Sequence, residues 1–346
     1  MHRTTTKTLS SLLVAGLAAT TLITGPAFAE SSAESETIQV GALRLGSHAP
    51  NYIAYERGYF EEQNLDVEFV FFDSAQPMAV AIASGDVDFG LTAVSGALIN
   101  LANRGALKVV GGALQEEPGI DGQMILASKQ AYDRGLTSPE KLAGYSYGIT
   151  QAGSSFHYMA SKIAQSSGFE TSDITLRPLQ GVGIIIGALR TGQIDAWSIV
   201  PNLGKPLSNS DEIVGIGWVA DYIPDYQVTT VFTSADIANG QGELVRRFLE
   251  GFSKGVADHN AALVDKTTDA EEVEAVVRII AQYIAPDQPY ERSSVSIKNG
   301  AMRVNENARM NVTNLRDQLE WFQQEGLVSS DITFETVFDT QYVETY

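Results

Sequence analysis

Ala81-Ile82-Ala83-Ser84-Gly85-Asp86-Val87-Asp88 returns further along the chain as Ala188-Leu189-Arg190-Thr191-Gly192-Gln193-Ile194-Asp195, at an offset of 107 residues. The same offset lays Gly41 on Gly148, Gly46-Ser47 on Gly153-Ser154, and Asp66 on Asp173. Each copy reads strand, Gly-Ser turn, helix, strand, helix, Gly-x-aliphatic-Asp, strand. Any two βαβ units share some of this, because glycine ends helices and aspartate opens turns. A single register held across the whole unit argues further, for two α/β units of one design. Two such units facing each other across a cleft make a clamp for a small molecule.

Outside the repeat, the chain starts like an address. Arg3 and Lys7 precede an apolar run from Leu9 to Ile23, then Gly25-Pro26 and Ala27-Phe28-Ala29. A basic n-region, an apolar h-region and a small-x-small site predict a signal peptide over 1–29, cleaved after Ala29. The 346 residues contain no cysteine, which excludes disulfides, thiolate nucleophiles and a lipidated cysteine anchor. Export without an anchor predicts a soluble periplasmic protein. The formal charge is −19, and loss of Arg3 and Lys7 takes the mature chain to about −21. That field repels nucleic acid and anionic membrane.

Strands are expected at Ile38–Leu43, Val67–Phe72, Val87–Leu91 and Lys108–Ala113, with helices at Tyr52–Gln63, Gln76–Ala83 and Val94–Arg104. Short strands alternating with helices predict a parallel α/β sheet. Gln123–Ser128 reads as a crossing strand. The second copy starts at Tyr145, and Trp218–Ala220 and Tyr226–Phe232 read as return strands. Beyond Ala235 the pattern is almost wholly helical: Gly242–Leu263, Glu271–Ile284 and Asn307–Glu325. One lobe is expected over 38–122 plus 227–346, a second over 123–226, with two chain crossings forming a hinge.

Asn51-Tyr52-Ile53-Ala54-Tyr55-Glu56-Arg57-Gly58-Tyr59-Phe60-Glu61-Glu62-Gln63-Asn64-Leu65-Asp66-Val67 closely resembles a family signature, A-x-x-x-G-(Y/F)-F-x-x-x-(G/N)-L-x-V. It belongs to the solute-binding proteins of ABC importers for sulfonates, nitrate, taurine and thiamine-pyrimidine precursors. Gly153-Ser154-Ser155 and Gly192-Gln193-Ile194-Asp195-Ala196 sit where that family has them. Val200-Pro201 departs from it, since the family's usual acidic residue is Val200 here. The resemblance spans the mature chain. It implies a type II periplasmic-binding-protein fold, two lobes closing on one solute. Tyr55, Tyr59 and Phe60 lie at helical spacing and read as core packing rather than ligand contacts.

Ligands of open α/β sheets bind beyond the carboxyl ends of the strands. Those ends supply Ser47, His48 and Tyr52; then Asp73, Ser74 and Gln76; then Thr92 and Ser95. In the second copy they supply Gly153, Ser154 and Ser155, followed by His157 and Tyr158. Gly153-Ser154-Ser155 at a helix start offers free N–H groups, a helix dipole and hydroxyls; a plain serine cap explains the same residues. His48 and His157 lack partners at a metal-ligand spacing, so no metal site and no cofactor are expected. His259 falls in an amphipathic helix and reads as surface. Trp197, the counterpart of Gly90, either walls the pocket or packs in the strand core. Asn202 is a weaker candidate. Gly181-Val182-Gly183 lacks the third glycine of a nucleotide loop. Asp88 and Asp195 read as turn caps. No arginine stands clearly at a strand end, because Arg44 follows strand 1 and Arg177 precedes Pro178. That tilts the solute toward a neutral, zwitterionic or aromatic monoanionic one.

The function expected is capture of a small organic solute for delivery to an ABC permease and its ATPase, by a monomer with no nucleic-acid partner. A sensory binding protein docking a receptor is the alternative. Catalysis is disfavoured: the resemblance extends to enzymes of this fold, but one of those uses a cysteine nucleophile, and no Ser-His-Asp spacing or paired carboxylate is evident.

Overall fold

The computed structural model describes residues Ser35–Tyr346. The expected signal peptide and its cleavage site lie outside them. The chain runs β1 (Glu36–Ala42), α1 (Ala49–Glu56), β2 (Leu65–Phe71), α2 (Ala75–Ser84), β3 (Phe89–Thr92), α3 (Gly96–Asn103) and β4 (Leu107–Gly112). A second series follows: β5 (Met124–Ser128), α4 (Lys129–Asp133), β6 (Ser146–Ile149), α5 (Ser155–Ser167), β7 (Thr175–Pro178), α6 (Val182–Arg190), β8 (Ala196–Ile199), α7 (Pro201–Ser208) and β9 (Ile213–Trp218). Then come β10 (Thr230–Ser234), α8 (Ala235–Gly240), α9 (Gly242–His259), α10 (Ala270–Ile284), α11 (Tyr290–Lys298), α12 (Val312–Gln324) and α13 (Phe334–Val337).

The strands form two five-stranded sheets, ordered β2-β1-β3-β10-β4 and β7-β6-β8-β5-β9. In the first, β1 is parallel to β2 and β3, and β10 runs antiparallel between β3 and β4. In the second, β6 is parallel to β7 and β8, and β5 runs antiparallel between β8 and β9. The two sheets therefore share one topology, as in a type II periplasmic-binding fold with a helical C-terminal segment.

The 107-residue repeat has a physical cause. Asp88 accepts a hydrogen bond from the Gln39 N–H at 2.8 Å, and Asp195 accepts one from the Ser146 N–H at 2.8 Å. All four positions obey the offset. Each carboxylate ties the residue just before the central strand, β3 or β8, to the parallel strand beside it, β1 or β6. Gly85 and Gly192 end the preceding helices at φ of 80° and 69°, a conformation glycine reaches without Cβ strain. Gly41 and Gly148 let a helix or turn approach β1 and β6, the strands beside the central ones. A Cβ would lie 2.9 Å from Met78 Cγ at the first and 2.6 Å from Ile194 Cδ1 at the second.

The C-terminal helices pack on the first sheet. Phe248 of α9 stacks between Phe60 (5.3 Å) and Phe89 (4.1 Å). A smaller core of Ile53, Leu263, Val276, Val277, Ile280 and Ile297 fastens α10 and α11 to α1. Phe60 is thus core, whereas Tyr55 is 41% exposed.

Several boundaries differ from expectation. Helix α1 ends at Glu56, because Gly58 turns the chain at φ 72°. Asn64 is left-handed at φ 55°, but it closes a short 3-10 turn instead of a long helix. Helix α12 starts at Val312, since Asn307 also has positive φ. Strand β9 begins five residues earlier than read, at Ile213. Gly181 caps α6, so Gly181-Val182-Gly183 is a helix start and not a phosphate loop. His259 is buried and not on the surface.

Candidate functional site

The carboxyl ends of both sheets open onto one cleft. Its walls include Ser47 and His48 after β1, Asp73, Ser74 and Gln76 after β2, and Thr92 and Ser95 after β3. The opposite wall brings Thr150, Gln151, Ser154, Ser155 and Phe156 after β6, with Val200 after β8. Gln123 and Thr229, from the two crossing segments, close the back. Helices α2 and α5 both aim their N-termini here, and the serines at their caps, Ser74 and Ser154, make no side-chain cap bond. Ser95 does cap its helix, accepting from the Leu98 N–H at 3.2 Å.

Two buried polar atoms of this lining find no hydrogen-bond partner among the described residues: His48 Nε2 and Ser154 Oγ. They come from opposite halves of the molecule. His48 accepts weakly at Nδ1 from the Leu43 N–H (3.4 Å), which assigns its proton to Nε2. Burial lowers its pKa to about 3, so the ring is neutral at ordinary pH. It offers a neutral N–H donor, not a cation. A buried donor left without a partner costs about 1–3 kcal/mol, which a solute oxygen would relieve. Asp73 is the lone charged residue of the lining.

The cavity holds about 80 Å³. Pockets for drug-sized molecules span roughly 300–1,000 Å³, so an organic solute enters only once the walls part. In this geometry they touch: the Gly96 N–H donates to the Gly153 carbonyl at 2.9 Å. Helix α12 meets α5 as well, with Asp317 accepting from Tyr158 (2.6 Å) and Lys162 (2.7 Å), and Trp321 Nε1 donating to Ser161 (2.8 Å).

Five expected residues fall outside the lining. Tyr52 is fully buried behind β1, donates to the Leu43 carbonyl at 2.7 Å and stacks on Tyr283. His157 turns back to accept from the Gly153 N–H at 3.1 Å and sits edge-on to Trp321. Trp197, within β8, points wholly into the core against Phe156. Asn202 is buried where α7 meets the chain after α11, beside Gly300. Gly153 contributes through its backbone bridge. Arg44 explains the missing arginine clamp: its guanidinium donates to the Tyr283 carbonyl and lies over Phe71.

Thr150, Gln151 and Gln123 were not singled out. Thr150 and Gln151 precede Gly153 in the same loop, so the strand-end rule reaches them. Gln123 has no local signal, because a crossing segment places it. Behind it stands Glu116, fully buried, which accepts from the Gln123 backbone N–H (3.0 Å) and side chain (3.2 Å). Its other oxygen has no partner among the described residues. Burial pushes its pKa up to about 7, with Asp221 adding to the rise and the Gln123 bonds opposing it. The buried Tyr226 phenol also faces this charge. The folded chain therefore holds a proton that the unfolded chain releases near 4.5. Stability is expected to fall by about 3 kcal/mol as pH rises through that window. Denaturant unfolding at about pH 5 and about pH 8 measures the slope; Glu116→Gln should flatten it, and an unchanged slope would assign it elsewhere.

Residues 46–262 match the family model described as NMT1/THI5 like. The chain belongs to that family. No curated protein matches it closely. Among solved structures, this NMT1/THI5-like chain is similar to the alkanesulfonate-binding protein SsuA from Xanthomonas axonopodis pv. citri bound to MOPS, at 17% identity and TM-score 0.69, covering 89% of this chain and 99% of that one. It is similar to the ligand-binding component of an ABC-type import system from Staphylococcus aureus with zinc bound, at 14% identity and TM-score 0.69, covering 89% and 97%. It is also similar to the periplasmic nitrate-binding protein NrtA from Synechocystis PCC 6803, at 14% identity and TM-score 0.65, covering 88% and 84%. At these identities the likeness is one of fold. No helix among the described residues is long and apolar enough to cross a membrane.

Proposed function

We propose that this NMT1/THI5-like protein is the solute-binding component of an ABC importer. It is exported to the periplasm by residues 1–29 and works there as a monomer. Its lobes, 38–122 plus 227–346 and 123–226, close on one small organic solute and present it to the permease. The pair of orphaned atoms, His48 Nε2 and Ser154 Oγ, carries this reading. A solute that accepts from both would bridge the lobes and favour closure by differential contact. The lining supplies neutral donors, helix N-termini and no arginine, which suits a neutral, zwitterionic or singly charged anionic solute. Transfer catalysis has no evident nucleophile, since the chain lacks cysteine and its one charged cleft residue is Asp73.

A thermal-shift screen of sulfonates, aromatic carboxylates, pyrimidines and amino-acid derivatives tests this. A ligand at a hundredfold excess over Kd adds about 2.7 kcal/mol of apparent stability. For the best solute, Ser154→Ala should weaken binding by up to about tenfold while leaving the free protein's melting unchanged. Wild-type affinity in that variant would remove the cleft assignment. Product formed from the bound solute would replace transport with catalysis.

A further inference from the structure

A second and larger recess lies on the other side of Asn202. It encloses about 1070 Å³ between α6 and α7 on one side and α10, α11 and the segment after α9 on the other. The wall dividing it from the cleft is tight. The backbone of Asn202 packs so closely on Gly300 that a Cβ at residue 300 would overlap it, and Gly46 lies against the Asn202 amide.

Charge sets this recess apart. The chain carries 42 acidic and 23 basic residues, yet the recess gathers Arg44, Arg190, Lys205, Lys266, Arg292 and Lys298 against one acid, Asp121. Asp121 neutralises Lys205 at 2.5 Å, and Glu274 neutralises Lys298 at 2.7 Å. Arg44 is engaged by Tyr283 and Phe71. Arg190, Lys266 and Arg292 make no ion pair among the described residues, and all three are exposed. They come from separate elements: α6, the loop after α9, and α11. Ile186, Ile284 and Val295 offer apolar surface between them, Val295 being 59% exposed.

We infer that this recess binds a small organic polyanion, distinct from the solute of the cleft. Three uncompensated cations around a concave apolar floor match a compact molecule with two or three anionic groups. A flat protein partner would not need a hollow of this depth. Because Arg190 belongs to one lobe and Lys266 and Arg292 to the other, the polyanion bridges the lobes. It therefore favours closure and couples to solute binding in the cleft.

Pyranine, a fluorescent aromatic trisulfonate, is the probe. Its anisotropy should rise saturably with the full-length protein, and citrate should displace it. The triple variant Arg190→Gln, Lys266→Gln, Arg292→Gln should weaken binding at least about tenfold. A control that removes the same charge elsewhere, Arg104→Gln, Lys129→Gln, Lys141→Gln, should weaken it less than about twofold. Ser154→Ala should leave pyranine binding unchanged. Absence of saturable binding, or equal weakening by the two triple variants, overturns the site. Equal weakening by Ser154→Ala would place the dye in the cleft and also overturn it. Apart from that last outcome, which would itself show the cleft taking an anion, none of these results bears on whether the cleft binds its own solute.

Discussion

Trp197→Ala is expected to cost about 3–5 kcal/mol of stability, the range for truncating a buried large aromatic. The indole is fully buried on β8, with Phe156 at 5.5 Å and the backbone of Gly148 beneath it. Truncation leaves a cavity that two packed layers cannot close. Its Nε1 has no partner among the described residues, so Trp197→Phe loses volume but no hydrogen bond and should cost distinctly less. Denaturant unfolding of the two variants measures the difference. If Trp197→Ala keeps wild-type stability and loses solute affinity, the indole is a ligand platform after all.

Gly300→Val is expected to act on closure and not on folding. Gly300 is buried against Asn202 across the two proposed lobes, and a side chain there meets backbone that cannot move aside locally. Overpacking of this kind costs about 1–3 kcal/mol. The lobes can relieve it by separating, so the cost falls on the closed state. Apparent solute affinity should then drop by about 5- to 150-fold, because the binding-competent population shrinks by that factor. Small-angle scattering should report a more open particle, with each lobe's melting little changed. A closed particle with undiminished affinity would show that this contact does not govern closure.

Much of the fold was legible in the sequence because the repeat encodes bonds. Asp88 and Asp195 recur at one spacing because each must reach the N–H of the central strand's neighbour, Gln39 or Ser146. Glycines recur because a helix or turn needs the room. The cleft was legible through the strand-end rule, which reached Ser47, His48, Ser74, Gln76, Thr92, Ser95, Ser154 and Ser155. Periodicity failed where a side chain has two faces to choose from. Trp197 lies within β8 and His157 in the first turn of α5, yet both turn inward, and spacing cannot say which way. The mismatch of Trp197 with Gly90 also proved to be packing. In the first sheet Ile82 and Phe232 crowd that position, and a Cβ on Gly90 would lie 2.5 Å from Ile82 Cδ1. His48 and Ser155, which the 107-residue offset also lays on each other, differ in side chain and both line the cleft. Helices α7 and α11 escaped notice because Pro206 interrupts one and the other is largely polar.

The strand order has a temporal consequence. Strand β10 sits between β3 and β4, yet it is the last strand made. As the chain emerges, the second sheet has all five strands by Trp218, while the first still waits for Thr230–Ser234. Until then β3 and β4 each keep an unpaired edge, and open edges are sites of wrong pairing. The half of the protein written first is therefore finished last, and a chain broken off before residue 230 would leave its opening half without the strand that joins it.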